Sequence, residues 1–273
     1  MIKYILKKAD DWRSSSLNFL IDKNYLYREQ KAKANKLANQ LSQFISLKED
    51  KEVEHISLGH NCSTSWYLKE CGLKTATYPF DWVFTSCEII VHCIKDRFKE
   101  YLDISNVVNM KNSSGAGHRL YHKQLFNHKS PIATDESYEY YRRAVQRFLE
   151  ILDSDKKVVF YITVLNEFNK RPSWINGFEI DFKPKDKQDY SSCFYLIELI
   201  RSFKCESKFV IIEQYTNGSR WSVRQIETSS CDVFSFSYTS VSSSSGVSFT
   251  GFSDDYLYKK ILAGTRAEIV NVK

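Results

Sequence analysis

The sequence predicts an α/β fold in which helices flank an open, mostly parallel sheet. Three neighbouring stretches carry that prediction. Val158 to Val164 is a dense run of β-branched and aromatic residues, the composition of a strand buried on both faces. Ser191-Ser192 opens a helical pattern through Phe203, with Phe194, Leu196, Ile197, Leu199 and Ile200 on its apolar side. Phe209-Val210-Ile211-Ile212-Glu213 is a second buried strand, so residues 158 to 213 read strand–helix–strand. A helix between two such strands is the crossover that a parallel pair needs.

The remaining elements fit around this unit. Met1 to Leu6 starts a short strand or helix, and Asp11 to Asn18 is a polar connection. Tyr25 to Leu47 has helical spacing, with Ala32, Ala34, Leu37, Leu41 and Phe44 mostly three or four apart, and it reads as a helix packed on the main core. Lys48-Glu49-Asp50-Lys51-Glu52 is a solvated link. Residues 1–50 therefore form an N-terminal helical extension, and residues 51–273 form the α/β domain.

That domain opens with the strand Val53 to Leu58 and a small-residue turn at Gly59. The turn delivers Cys62 to the start of a helix, which Ser63, Thr64 and Ser65 can cap and Gly72 can end. Ser86 caps the next helix, with Ile89, Ile90, Cys93, Ile94 and Phe98 inward. Residues 103 to 136 are loop-rich and carry His118, His122 and His128, with a flexible stretch at 112–118. Ser137 to Leu152 is amphipathic: Tyr141, Ala144, Val145, Phe148, Leu149 and Leu152 face in, and Arg142, Arg143 and Arg147 face out. The strand from Val158 ends at Leu165-Asn166-Glu167-Phe168, where side chains of an open parallel sheet enter a binding crevice. Asn169 to Tyr190 is polar, with Trp174, Phe178 and Phe182 read first as core anchors and second as lid or pocket residues. In the tail, Trp221–Val223, Cys231–Phe236 and Val247–Phe249 are strand-like around a serine-rich loop or hairpin at 240–245. Ser253-Asp254-Asp255 caps a final helix that Gly264 closes.

Composition narrows the function classes. A chain of 273 residues buries one large core, with room for a modest appendage. The formal charge of +6 tilts slightly toward anionic partners. Basic and aromatic residues do not interleave as in a recognisable binding module, which disfavours nucleic acid. With 18 Phe, 17 Tyr and 5 Trp, aromatics suffice to line a pocket for an apolar or sugar-like group as well as the core. The 7 cysteines are odd in number and lack a Cys-x-x-Cys pair, which points to a reducing, cytoplasmic setting. Neither they nor the 6 histidines have zinc-ligand spacing, so no metal is expected. Met1 to Asp11 is too short and too charged for a signal peptide, and no 18-residue apolar run marks a transmembrane segment. Peripheral membrane association and the oligomeric state stay open.

Chemistry concentrates at Cys62. A thiol at a helix N-terminus is acidified by the aligned backbone dipoles, which favour the thiolate. The competing reading is a small thiol packed under a helix, a common fate of a free cysteine. Phosphate binding at this turn is a weaker rival, because Gly59 is alone and no lysine follows. A nucleophilic cysteine needs a base. His128 is the first candidate, His122 the second and His118 the third, while His60 is too close in sequence to be assigned by pattern. Asp81 is placed to orient the base or bind substrate, with Trp82 walling the pocket. Backbone N–H groups following Cys62 can hold an oxyanion.

Taken together, Ser57-Leu58-Gly59, Cys62, Leu68, Gly72-Leu73 and Pro79-Phe80-Asp81-Trp82 resemble the bacterial family DUF1796, labelled papain-like cysteine peptidases. Phe126-Asn127-His128 is similar to that family's Phe-x-His element, and Tyr141-Arg142-Arg143 with Arg147-Phe148 to the arginine-containing helix after it. The resemblance covers roughly residues 54 to 215. It implies a Cys62–His128 active centre assisted by Asp81. The Cys62 turn more distantly resembles Gly-Asn-Cys openings of capsule-biosynthesis enzymes associated with acyl transfer, whose cysteine borders the ligand cleft.

The fold implied is a Rossmann-like or hydrolase-like three-layer arrangement. The chemistry implied is cysteine-dependent hydrolysis or transfer of an acyl group from an ester, thioester or amide, possible glycan acceptors included. Asn61, Trp82, His122 and Arg143 are the candidate substrate-binding residues. Hydrolysis needs no cofactor, whereas transfer takes an acyl donor such as an acyl-thioester. The partner is a small-molecule, glycan or peptide substrate. The alternative class is a non-catalytic protein that binds carbohydrate or nucleotide-sugar.

Overall fold

The computed structural model describes residues 25–45, 53–111, 113–166, 174–184 and 191–264. The expectations for Met1–Leu6, Asp11–Asn18 and Lys48–Glu52 lie outside these residues, as do 167–173 and 185–190 of the polar segment. In chain order the elements are α1 (Tyr25–Ile45), β1 (Val53–Ser57), α2 (Cys62–Glu70) and α3 (Cys87–Lys95). A one-turn helix, Lys99–Leu102, precedes β2 (Val107–Asn109), β3 (Ala116–His118) and β4 (His122–Phe126). Then come α4 (Asp135–Leu152), β5 (Lys157–Leu165), α5 (Ser191–Arg201) and β6 (Glu206–Tyr215). The chain continues through β7 (Ser222–Ile226), β8 (Val233–Thr239) and α6 (Phe252–Ala263).

The main sheet has the order β1-β5-β6-β8-β7. Its first four strands run parallel, and β7 pairs antiparallel with β8 at one edge. Alternation along each strand sends successive side chains to opposite faces. Ile56, Phe160, Ile162, Phe209 and Ile211 pack with α3, α4 and α5. Val159, Tyr161, Val210, Ile212, Phe236 and Tyr238 pack with α1, α2 and α6. Helices on both faces make a three-layer α/β fold, which explains why β5 and β6 read as near-continuous apolar runs.

Local chemistry sets the element ends. Gly72 follows α2 at φ +66, where its missing Cβ removes the left-handed penalty, and Leu73 N–H returns to the Leu68 carbonyl at 2.9 Å. Ser86 Oγ accepts from Ile89 N–H at 3.1 Å and starts α3. Thr134, three residues before the expected start, caps α4 by accepting from Ser137 N–H.

Several expectations are corrected. The loop-rich segment 103–136 also carries three short strands, β2, β3 and β4, which form an antiparallel sheet that the sequence reading lacks. Its 112–118 stretch is glycine-rich because strands approach closely there: a Cβ on Gly117 would lie 2.3 Å from the Lys123 carbonyl oxygen. Phe194 is 51% exposed, since Cys193, Leu196, Ile197 and Ile200 already define the buried stripe of α5. Residues 247–249 make no strand, only a bridge between Phe249 and Ser244. Asp254 does not cap α6 but turns back to accept from Val241 and Ser242 N–H, ordering the serine-rich loop. These choices depend on which backbone groups the tertiary fold leaves unpaired.

Candidate functional site

The site lies past the carboxyl end of β1. Leu58 N–H and His60 N–H extend the pairing with β5 by donating to the Tyr161 and Thr163 carbonyls at 2.8 and 3.3 Å. Asn61 is the N-cap of α2, its Oδ1 accepting from Ser63 N–H at 3.0 Å. That contact replaces the capping expected from Ser63, Thr64 and Ser65. Thr64 Oγ1 instead donates to Thr163 Oγ1 at 2.8 Å and ties the start of the helix to β5. Cys62 is thus the first residue of α2 at the carboxyl end of a parallel sheet, where α/β folds open their ligand crevices.

The second side chain comes from the end of the small sheet. Two residues beyond β4, the His128 carbonyl accepts from Ser114 Oγ at 3.2 Å, and the adjacent Lys129 carbonyl accepts from Tyr141 OH at 2.7 Å. These clamps bring His128 Nε2 to 3.0 Å from Cys62 Sγ, across 66 residues of sequence. Trp82 meets the imidazole edge-on, with ring centroids 6.5 Å apart and planes at 84°. Cys62 is buried and His128 exposed, so the contact has a solvent-facing side. Among the described residues no acceptor is paired with His128 Nδ1, so the geometry is a dyad.

Electrostatics correct one expectation. Burial pushes the Cys62 thiol up to about 12; its backbone N–H pulls the other way, and the charge of Asp81 pushes it higher. Desolvation therefore outweighs the helix N-terminus, and the resting group is a neutral thiol. Asp81 is itself buried and accepts from Lys74 Nζ and from Tyr78 N–H, the latter at 2.6 Å. Burial pushes the Asp81 carboxyl up and the Lys74 ammonium down, while their contact opposes both shifts. The described hydrogen bonds of Asp81 thus secure the loop that presents Trp82 and do not run to His128. Lys74 was not singled out from sequence, because only the folded loop brings it to Asp81.

The other histidines are occupied elsewhere. His122 Nε2 donates to the Trp174 carbonyl at 3.1 Å while Nδ1 accepts from Gln124 N–H at 2.9 Å. Burial pushes His122 down to about 4, so it is neutral at pH 7. His118 Nε2 lies 3.0 Å from the Glu100 carbonyl, and its ring stacks on Tyr121. His60 Nδ1 accepts from Leu165 N–H at 3.3 Å, with its ring beside Trp174. Arg143 is exposed on α4; its neighbours Arg142 and Arg147 bond Glu139 and the Thr77 carbonyl. Asn166, one residue past β5, is buried with both side-chain amide atoms unpartnered. Its strand-end position was the available sequence signal.

With a cysteine at the strand–helix turn and a histidine on its sulfur, comparison with known families becomes informative. Residues 53–129 match a DUF1796 domain. The family is described as "Putative papain-like cysteine peptidase (DUF1796)". The DUF1796 match includes Cys62, Asp81, Trp82, His122 and His128 and ends before Arg143. No curated protein and no solved structure matches the chain. Among the described residues, no helix is long and apolar enough to cross a membrane.

Proposed function

We propose that Cys62 and His128 form a catalytic dyad that hydrolyses or transfers an acyl group from an ester, thioester or amide. The observation carrying this reading is the 3.0 Å contact between Cys62 Sγ and His128 Nε2. His128 takes the thiol proton as Sγ attacks the acyl carbonyl, then returns it to the leaving group. Water completes hydrolysis of the acyl-enzyme; a glycan hydroxyl completes transfer. Backbone N–H groups at the start of α2 hold the oxyanion. A buried, neutral thiol suits this sequence, because the proton leaves only when substrate is in place.

The supporting residues act around that pair. Asn61 sets the start of α2, Trp82 holds the His128 ring, and Asp81 is a positioning residue beneath their loop. His122 contributes as a neutral wall, since both its ring nitrogens are engaged. Arg143 attracts an anionic group of an acyl donor such as an acyl-thioester. Titration with coenzyme A should then give a several-fold weaker affinity for Arg143→Ala, and an unchanged affinity would remove Arg143 from the site. Residues 51–273 carry the chemistry, with α1 packed beside α2 and α6 on one face of the sheet. The substrate is a small molecule, glycan or peptide in a reducing cytoplasm, as the free thiols favour.

Peptide-resolved alkylation of all cysteines tests the dyad directly. At pH 7 we expect His128→Ala to slow Cys62 alkylation by about 10²-fold or more, the usual range for general-base assistance. Equal rates at every pH would break the pairing. The high position of the thiol also sets a sign: its thiolate fraction grows with pH, so alkylation keeps rising between pH 7 and 10. A plateau by pH 8 would instead mean a preformed thiolate–imidazolium pair.

That same burial favours a second reading, a non-catalytic carbohydrate or nucleotide-sugar binding protein in which Cys62 is a packed wall. In that case Cys62→Ser leaves ligand affinity nearly unchanged, and His128→Ala leaves alkylation unchanged.

A further inference from the structure

A second pair of thiols lies away from Cys62. Cys87 is the first residue of α3, and Cys193 is the third residue of α5. The two helices pack together and bring the sulfurs to 3.2 Å, with both residues buried. Ser192 Oγ donates to Glu88 Oε1 at 2.5 Å beside them and fixes the two helix starts in register. Among the described residues no other two cysteine sulfurs are paired in this way. Cys62 contacts His128, and Cys71 contacts the Lys259 carbonyl.

An open cavity of about 580 Å³ adjoins the pair. Val91, Phe182 and Tyr195 give it apolar walls, and Cys87, His92 and Lys95 also line it. Cys87, one residue of the touching pair, therefore lines a space large enough for a small reagent, although it is itself only 2% exposed. The bond shared with Cys193 and burial both push the Cys87 thiol well up, while its backbone N–H at the helix start opposes them. The resting Cys87 thiol is accordingly neutral, and both cysteines are free thiols.

We propose that Cys87 and Cys193 form an oxidisable dithiol that a small hydroperoxide reaches through this cavity. The small thiolate fraction of Cys87 attacks the peroxide, the O–O bond breaks, and the proton given up by the thiol ends on the departing hydroxide, so that hydrogen peroxide yields sulfenic acid and one water. Cys193 sulfur then attacks Cys87 sulfur. The S–O bond breaks, and the departing hydroxide takes the Cys193 proton as a second water. The net change is two thiols and one peroxide to one disulfide and two waters. Contact between the sulfurs favours this second step, because folding has already brought the partners together.

The test uses hydrogen peroxide on the folded full chain, both unsubstituted and as Cys62→Ala, followed by unfolding, alkylation and peptide mapping. The expected product is a Cys87–Cys193 linked peptide, formed in both proteins and reversed by dithiothreitol. Cys193→Ser should instead leave a dimedone-reactive sulfenic acid on Cys87. Val91→Phe, which narrows the cavity, should slow formation of the linked peptide by about tenfold. The proposal is overturned if both thiols stay free while exposed Cys231 oxidises, or if Cys87 links elsewhere. An unchanged rate in Val91→Phe would overturn the cavity route. Because the linkage is also read without Cys62, its failure leaves the Cys62–His128 reading untouched.

Discussion

Cys62→Ala should abolish turnover of acyl substrates while the protein keeps its fold. The loss expected is on the order of 10⁴-fold or more, as for removal of a nucleophile that acts together with its base. Only a small side chain is removed, so destabilisation should be about 1 kcal/mol. Circular dichroism and a thermal melt would check the fold, and ester, thioester and peptide panels would check turnover. Normal turnover by this variant would end the nucleophile reading. Cys62→Ser sharpens the result, since it leaves a hydrogen-bonding group beside His128. An enzyme loses most of its rate on that change, whereas a binding protein keeps its affinity.

Asp81→Ala should be the most damaging substitution for stability near the site. It leaves the Lys74 ammonium, only 7% exposed, facing a vacancy where its carboxylate partner stood. Breaking a buried ion pair from one side costs about 3–5 kcal/mol, because the remaining charge stays desolvated without compensation. It also removes the acceptor for Tyr78 N–H under the loop that carries Trp82. Urea denaturation should show this loss, and Asp81→Ala/Lys74→Met should recover a large part of it. Full stability of the single variant would contradict a buttressing role. If Asp81 acted mainly on His128, Asp81→Asn would slow Cys62 alkylation. Buttressing together with its charge on Cys62 predicts the opposite sign, because neutralising Asp81 removes a force that pushes the thiol up.

Much of the layered fold was legible because burial imposes its own pattern. Val158 to Val164 and Phe209 to Ile212 are apolar on both faces, as strands covered by helices must be. Gly72 and Ser86 were readable as helix punctuation because each answers a local backbone need. Cys62 stood out at a strand–turn–helix junction, and His128 through a family resemblance in a short motif. The small antiparallel sheet was not legible. Its strands β2 and β3 have three residues each, too few for an alternating pattern, and Gly117 reads as flexibility until its neighbour is known.

The amino-acid order by itself determined the parallel α/β class, the placement of Cys62 at a helix start and the glycine stop behind it. Each is a local or periodic property that one stretch of chain expresses alone. Only the tertiary structure decided that His128 meets Cys62, that Asp81 pairs with Lys74, and that Cys87 touches Cys193. It also reversed the expected acidity of Cys62, because desolvation depends on everything packed around the sulfur rather than on the helix that carries it.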